Sequence, residues 1–180
     1  MTTGEHVQSF DAVSSPDAHV LILGSMPGAA SLAAKRYYAH PRNAFWPIMA
    51  ELLPLDLSCP YEERLEALRG AGIALWDVLH SCHRDGSLDA RIRPDTQVAN
   101  DFAVFLRAHP LVERVLFNGA KAEQCYRQHV LRYGIGAGLR YERLPSTSPA
   151  NASWSFARKL AAWRNGLRAE LPNQLRVTLR

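Results

Sequence analysis

The sequence predicts an α/β fold, a mostly parallel β-sheet covered by helices on both faces. Four short apolar runs read as buried strands, at residues 19–23, 72–76, 114–117 and 139–144. Segments of helical periodicity separate these runs, which is the pattern of βαβ crossovers. The chain has 180 residues, 47% hydrophobic and 21% charged, a balance that supports one well-buried core.

Residues 1–18 are polar, carry Glu5 and Asp11, and lack the apolar centre of a signal peptide. They read as a partly flexible extension, with 19–172 a single domain and 173–180 a short tail. The first strand runs into a turn, Gly24-Ser25-Met26-Pro27-Gly28. Residues 45–53 are apolar and helical up to Pro54. Residues 61–68 carry Glu62, Glu63 and Glu66 early, which suits a helix N-terminus, and meet Gly70 at the end. After Pro94, Val98, Phe102, Phe105 and Leu106 fall at helical spacing. Residues 120–131 form the next helical segment. Phe156, Leu160, Trp163 and Leu167 make the apolar stripe of a last helix, capped by Ser153 or Ser155.

No run approaches the ~18 apolar residues that a membrane helix needs, so a spanning protein is excluded and a cytoplasmic location is expected. The net charge is +4, and all cations but Lys35, Lys121 and Lys159 are Arg. Arg forks suit phosphates, although the same bias follows from genome base composition. Cys59, Cys82 and Cys125 contain no C-x-x-C pair, and three thiols fall short of an ordinary four-Cys cluster or zinc site. Reduced, structural cysteines are expected, with no metal and no cofactor.

Ligands of such sheets sit at the carboxyl ends of the strands, so the residues after each strand carry the functional reading. The turn at 24–28 brings backbone close to a ligand but is neither a Walker loop nor a dinucleotide fingerprint. Gly134, Gly136 and Gly138 precede a strand and read as loop glycines. In the segment 37–47, Pro41 holds His40 extended and Pro47 suits a first helical turn, so Asn43 stands at a helix entry. From that segment alone a plain cap competes with a catalytic role. The hydroxyls of 145–153 lie just before a helix and form a natural phosphate seat, or simply a Ser/Pro turn.

GSMPG (24–28), YYAHPRNAFW (37–46), WDVLHSCHRDGSLD (76–89) and LPSTSPANAS (144–153) together resemble hypoxanthine-DNA glycosylase, family 6 of the uracil-DNA glycosylase superfamily. The resemblance spans roughly residues 21–163 with the motifs in family order. It implies a three-layer α/β/α sandwich around a four-stranded parallel sheet. It also implies base excision repair, in which a deaminated base of damaged DNA is flipped out and its N-glycosidic bond hydrolysed. Met26 stands where most of the superfamily carries a water-handling Asp or Asn. The resemblance therefore moves that role to Asn43. It places Gly24, Ser25, Met26, Phe45 and Asp77 around the base, with Phe45 stacking and Asp77 reading the base edge. Asn118 is a weaker pocket residue. Ser146, Thr147, Ser148 and Asn151 would meet the DNA backbone. Damaged DNA is the implied partner of a monomer without an iron–sulfur cluster or a membrane, in a bacterial-type cytosol or nucleoid. Uracil and xanthine are alternative bases.

Three other readings stay open. Lys35 allows a Schiff-base lyase. Ser146 or Ser148 with His40 or His83 allows a hydrolase, although no G-x-S-x-G elbow is present. A damage binder without turnover is the third.

Overall fold

The computed structural model describes residues 4–168. Strand β1 (Glu5–Gln8) comes first, followed by β2 (Val20–Gly24), helix α1 (Ala29–Ala34), α2 (Phe45–Leu52) and α3 (Tyr61–Gly70). Strands β3 (Ile73–Asp77), β4 (Leu79–Arg84) and β5 (Val98–Ala99) lead to α4 (Phe102–Ala108). Then come β6 (Arg114–Asn118), α5 (Ala120–His129), β7 (Arg140–Leu144) and α6 (Phe156–Arg168).

The four expected strands form one parallel sheet in the order β3-β2-β6-β7. Its two faces are written in the alternation of β2. Val20 and Ile22 face Phe45, Ile48, Met49, Leu52, Leu65, Leu68 and Trp163, which belong to α2, α3 and α6. Leu21 and Leu23 face Phe102, Phe105, Cys125 and Tyr126 of α4 and α5. β2, β3 and β6 are buried on both faces by these helices, while the edge strand β7 keeps Arg140 and Arg143 exposed. The result is the expected three-layer α/β/α sandwich.

A second sheet, β1-β4-β5, is antiparallel and was not visible as strands in the sequence. β4 follows β3 directly, so residues read as a loop after the second strand are themselves paired with 5–8. The segment before residue 19 is thereby joined to the fold, and Val13 bridges to Leu75 as well. The tail at 173–180 lies outside the described residues. Val98 is a second departure. It sits exposed in β5, because the side chain of Asp101 accepts from Val104 N–H and starts α4 only at Phe102. Helix α1 is a further element that the sequence pattern did not reveal. At the other end, Ser155 Oγ accepts from Arg158 N–H and caps α6 as expected.

All three cysteines are free, and Cys82 and Cys125 are buried. Burial pushes the Cys125 thiol up to about 11, so it stays protonated and inert near neutrality. Among the described residues, no helix is long and apolar enough to cross a membrane. Nor, among them, is any group of three or more His, Cys, Asp or Glu placed to hold a metal ion.

Candidate active site at the carboxyl edge of the sheet

Strand register places the ends of the parallel strands in one row. Gly24 pairs with Asp77, Leu23 with Phe117, and Asn118 with Leu144. The segments that follow these ends enclose a cleft of about 730 Å³. That lies within the roughly 300–1,000 Å³ typical of small-molecule sites. Gly24, Ser25, Met26, Asn43, Asp77, Ser146, Thr147, Ser148 and Asn151 all line it, together with Asn118. Phe45 does not. It is fully buried, and the ring of Tyr38 is stacked on it at 4.1 Å.

The floor is Asp77, whose carboxyl lies directly over Gly24. A Cβ at residue 24 would stand 2.4 Å from Asp77 Oδ1 and 3.2 Å from the Tyr38 hydroxyl. Only glycine leaves that carboxyl its place. Gly24→Ala is expected to destabilise the fold by about 1–3 kcal/mol, the usual overpacking cost. It should also displace the carboxyl. A thermal melt checks the first effect, at about 2–4 °C per kcal/mol for a chain of this size, and an excision assay the second. An unchanged melting temperature with unchanged excision would refute the packing described here.

Burial pushes the Asp77 carboxyl up to about 8, helped by the nearby charge of Asp89 and opposed by Arg84. Its Oδ2 has no hydrogen-bond partner. Asp89 is a second carboxylate on the cleft wall, in an exposed residue whose carboxyl is partly enclosed, and it accepts from Ser25 Oγ at 2.6 Å. Burial raises its pKa too, against the Ser25 hydrogen bond and the Arg84 charge. Arg84 lies behind both, 1% exposed, and donates to Pro27 O and Gly86 O. It fixes the 24–28 turn against the loop that carries Asp89 and supplies the counter-charge for two carboxylates.

Asn43 stands at the entry to α2. Its Oδ1 accepts from Phe45 N–H at 2.9 Å, which orients the amide. The capping and catalytic readings therefore converge on one geometry, because a carbonyl oxygen keeps a second lone pair for a water. The neighbouring Ala44 N–H donates to Thr147 O, so this helix entry is tied to the 145–151 loop. Trp46 Nε1 donates to Tyr37 O and Trp163 Nε1 to Pro145 O, which anchor the two segments to the core.

Thr147 is fully buried, and its side chain turns inward. Asn118 Nδ2 donates to Thr147 Oγ1, and Asn118 Oδ1 accepts from Thr147 N–H, both at 2.9 Å. A half-buried amide needs such partners, so the Thr147 side chain is turned inward to Asn118 and away from the surface, where the resemblance implied a backbone contact. Ser146, Ser148 and Asn151 shape the loop. Ser148 N–H donates to Ser146 Oγ, Ala150 N–H to Ser148 Oγ, and Asn151 Nδ2 to Ser146 O. Lys159 Nζ donates to Ser148 O from α6, which puts a cation under the loop. Gly119, at φ +94°, packs its Cα side against Ser146 and closes the corner.

Lys35 is exposed at the left-handed end of α1 and does not line the cleft. His40 Nδ1 accepts from Arg42 N–H, and the His83 ring lies beside Gly4 O in the second sheet. Neither is bonded to Ser146 or Ser148, so no Ser–His pair is assembled.

Residues 10–171 match the family described as the Uracil DNA glycosylase superfamily. With a parallel four-stranded sheet and a cleft at its carboxyl edge, the chain belongs to that superfamily. It is 37% identical over 153 residues to a hypoxanthine DNA glycosylase of Methanosarcina barkeri, covering 84% of this chain and 92% of that one. It is 35% identical, with the same coverage, to a hypoxanthine DNA glycosylase of Methanosarcina acetivorans. The solution NMR structure of a candidate uracil DNA glycosylase from Methanosarcina acetivorans superposes with a TM-score of 0.73. That pair shares 33% identity over 89% of this chain and 98% of the other.

Proposed function

We propose that this protein is a monofunctional DNA glycosylase that removes hypoxanthine from deoxyinosine and leaves an abasic site. The observation that carries the proposal is the joining of Asn43, Asp77 and the 145–151 loop around one cleft. A base inside a duplex cannot enter such a cleft, so the nucleotide is flipped out at a cost of a few kcal/mol. Asp77 at the floor then meets the base edge. Its carboxyl oxygen accepts from N1–H of hypoxanthine, and in the neutral form its O–H donates to O6. Uracil and xanthine offer the same N–H beside a carbonyl and form the second rank of substrates.

The C1′–N9 bond breaks with its electron pair leaving on the base, and the sugar passes through an oxocarbenium-like state. A water held by Asn43 Oδ1 adds its oxygen to C1′, and its proton is released towards the departing base. An amide does not titrate near neutrality, so Asn43 positions the water and does not deprotonate it. Turn amides at Ser25 and Met26 are suited to meet the charge that develops on the base.

Ser146, Ser148 and Asn151 carry the loop to the DNA backbone, with Lys159 beneath it. Affinity for an inosine-containing duplex is then expected to fall with salt, with a log–log slope of about −0.9 per phosphate neutralised. A Kd that does not move with salt contradicts this contact. The protein acts alone, as a monomer on DNA in the cytoplasm.

Single-turnover cleavage of labelled duplexes carrying hypoxanthine, uracil or xanthine tests the assignment. Alkali-labile strands are expected first from hypoxanthine, with no adduct trapped by borohydride. A trapped adduct would point to a lyase. Met26 favours one other reading, a binder without turnover, since it cannot orient water from the usual position. Tight binding to deoxyinosine without cleavage would support that reading.

A further inference from the structure

The chain from His83 to Asp89 is polar or glycine except for one residue, Leu88. That side chain is 52% exposed. A singly exposed leucine is ordinary on a protein surface, so its place is what gives it meaning. Of the exposed large hydrophobic side chains among the described residues, Leu88 alone lines the cleft. Its backbone is held from both sides. Ala29 N–H donates to Ser87 Oγ at 3.0 Å, and Ser25 Oγ donates to Asp89 Oδ1 at 2.6 Å. The Arg84 side chain donates to Gly86 O and to Pro27 O, and Gly86 turns the chain at φ +68°. Arg91 N–H donates to Leu88 O in the turn that follows. These bonds lash residues 84–89 to residues 25–29, so Leu88 has a fixed seat on the rim.

That seat faces a particular part of the cleft. The loop lies on the α4/α5 side of the sheet, where Met26, Cys82 and Ile92 pack. Tyr38 and Asn43 reach the cleft from the α2 side. The Asp77 carboxyl lies between the two sides, over Gly24. A flat base that enters edge-first towards Asp77 turns one face to the 37–43 segment and the other to Met26 and Leu88. Met26 is 6% exposed and flush with the wall, which leaves Leu88 as the open apolar surface on that side.

Building on the glycosylase function above, we propose that Leu88 is an apolar cover for the flipped base, packing on the ring face opposite the 37–43 segment. Burying a half-exposed leucine against a ring is favourable, and without a base the same side chain faces solvent. A base that stays in the duplex stack never reaches it. The contact therefore exists only in the flipped state and shifts the flipping equilibrium towards it. Covering the ring also keeps water from the Asp77 floor, where the hydrogen bonds to the base edge gain strength. Leu88 touches the base and none of the reacting atoms.

The probe is a duplex carrying 2′-fluoro-deoxyinosine, whose glycosidic bond resists hydrolysis. Leu88→Ala is expected to bind it about tenfold more weakly than the wild type. A duplex with a tetrahydrofuran abasic analogue offers no base to cover, so both proteins are expected to bind it alike, and likewise an undamaged duplex. Leu88→Met keeps an apolar side chain of similar volume and should bind all three duplexes as the wild type does. A thermal melt confirms that both variants fold. Equal losses on the 2′-fluoro-deoxyinosine and abasic duplexes would mean that Leu88 wedges into the stack, which overturns the cover. Unchanged affinity of Leu88→Ala for every duplex also overturns it. A wild type that binds 2′-fluoro-deoxyinosine no more tightly than undamaged duplex would overturn the glycosylase function, and the cover with it.

Discussion

Replacing Asn43 by Ala is expected to lower single-turnover excision of hypoxanthine by about 10²-fold or more, the usual loss for one polar group aimed at the reacting centre. Duplex affinity should change little, because the loop at 145–151 and the base contacts remain. The variant also removes the bond from Phe45 N–H to Asn43 Oδ1, and losing such a cap costs about 0.5–2 kcal/mol. The two effects separate cleanly. If Asn43 only capped α2, the melting temperature would drop by a few degrees and excision would stay near normal. Asn43→Asp keeps an oxygen for Phe45 N–H and should restore the melting temperature. Rapid-quench kinetics and a thermal melt on the same three proteins decide between cap and catalyst.

Excision is expected to fall about tenfold per pH unit above about 8, reaching about 10²-fold by pH 10, as the Asp77 carboxyl ionises. Below that point the neutral acid both accepts from N1–H and donates to O6. Above it the donor is gone and a buried charge stands near Asp89. Asp77→Asn keeps one donor and one acceptor without titrating, so it should flatten the alkaline limb. Stability shifts in the same sense. Folding raises the Asp77 pKa above its ordinary 3.8, so the folded state holds the extra proton and loses stability as pH rises from about 4 to about 8. Asp77→Asn removes that slope and raises the melting temperature at pH 8. A pH–rate profile unchanged by Asp77→Asn would remove Asp77 from the base edge.

The parallel sheet was legible because β2, β3 and β6 are buried on both faces and read as short apolar runs, while the edge strand β7 mixes Arg and Glu with Tyr and Leu. β4 was not, since Leu79–Arg84 mixes His, Cys and Arg, and Arg84 looks like a surface residue until its carbonyl partners are seen. Val98 misled because spacing cannot show that Asp101 caps the helix after it. The ends of the strands named Gly24, Asp77 and Asn118 in advance, because register alone puts them in one row. The direction of a side chain is a different matter. Thr147 turns inward because Asn118 needs a partner, and Phe45 lies under Tyr38 because the backbone at residue 38 is left-handed. Asp89 had only one signal, its place at the end of the GSLD stretch, and its bond to Ser25 is formed across 64 residues of chain.

Release of free base is the measurement that decides whether this cleft hydrolyses the glycosidic bond of deoxyinosine. Wild-type protein and Asn43→Ala, each in excess over a deoxyinosine duplex, are assayed for free hypoxanthine by mass and for abasic strand by alkali. Equal amounts of the two products from the wild type, with about 10²-fold slower release from Asn43→Ala, are predicted. Binding without release, or release at the same rate from both proteins, would contradict it.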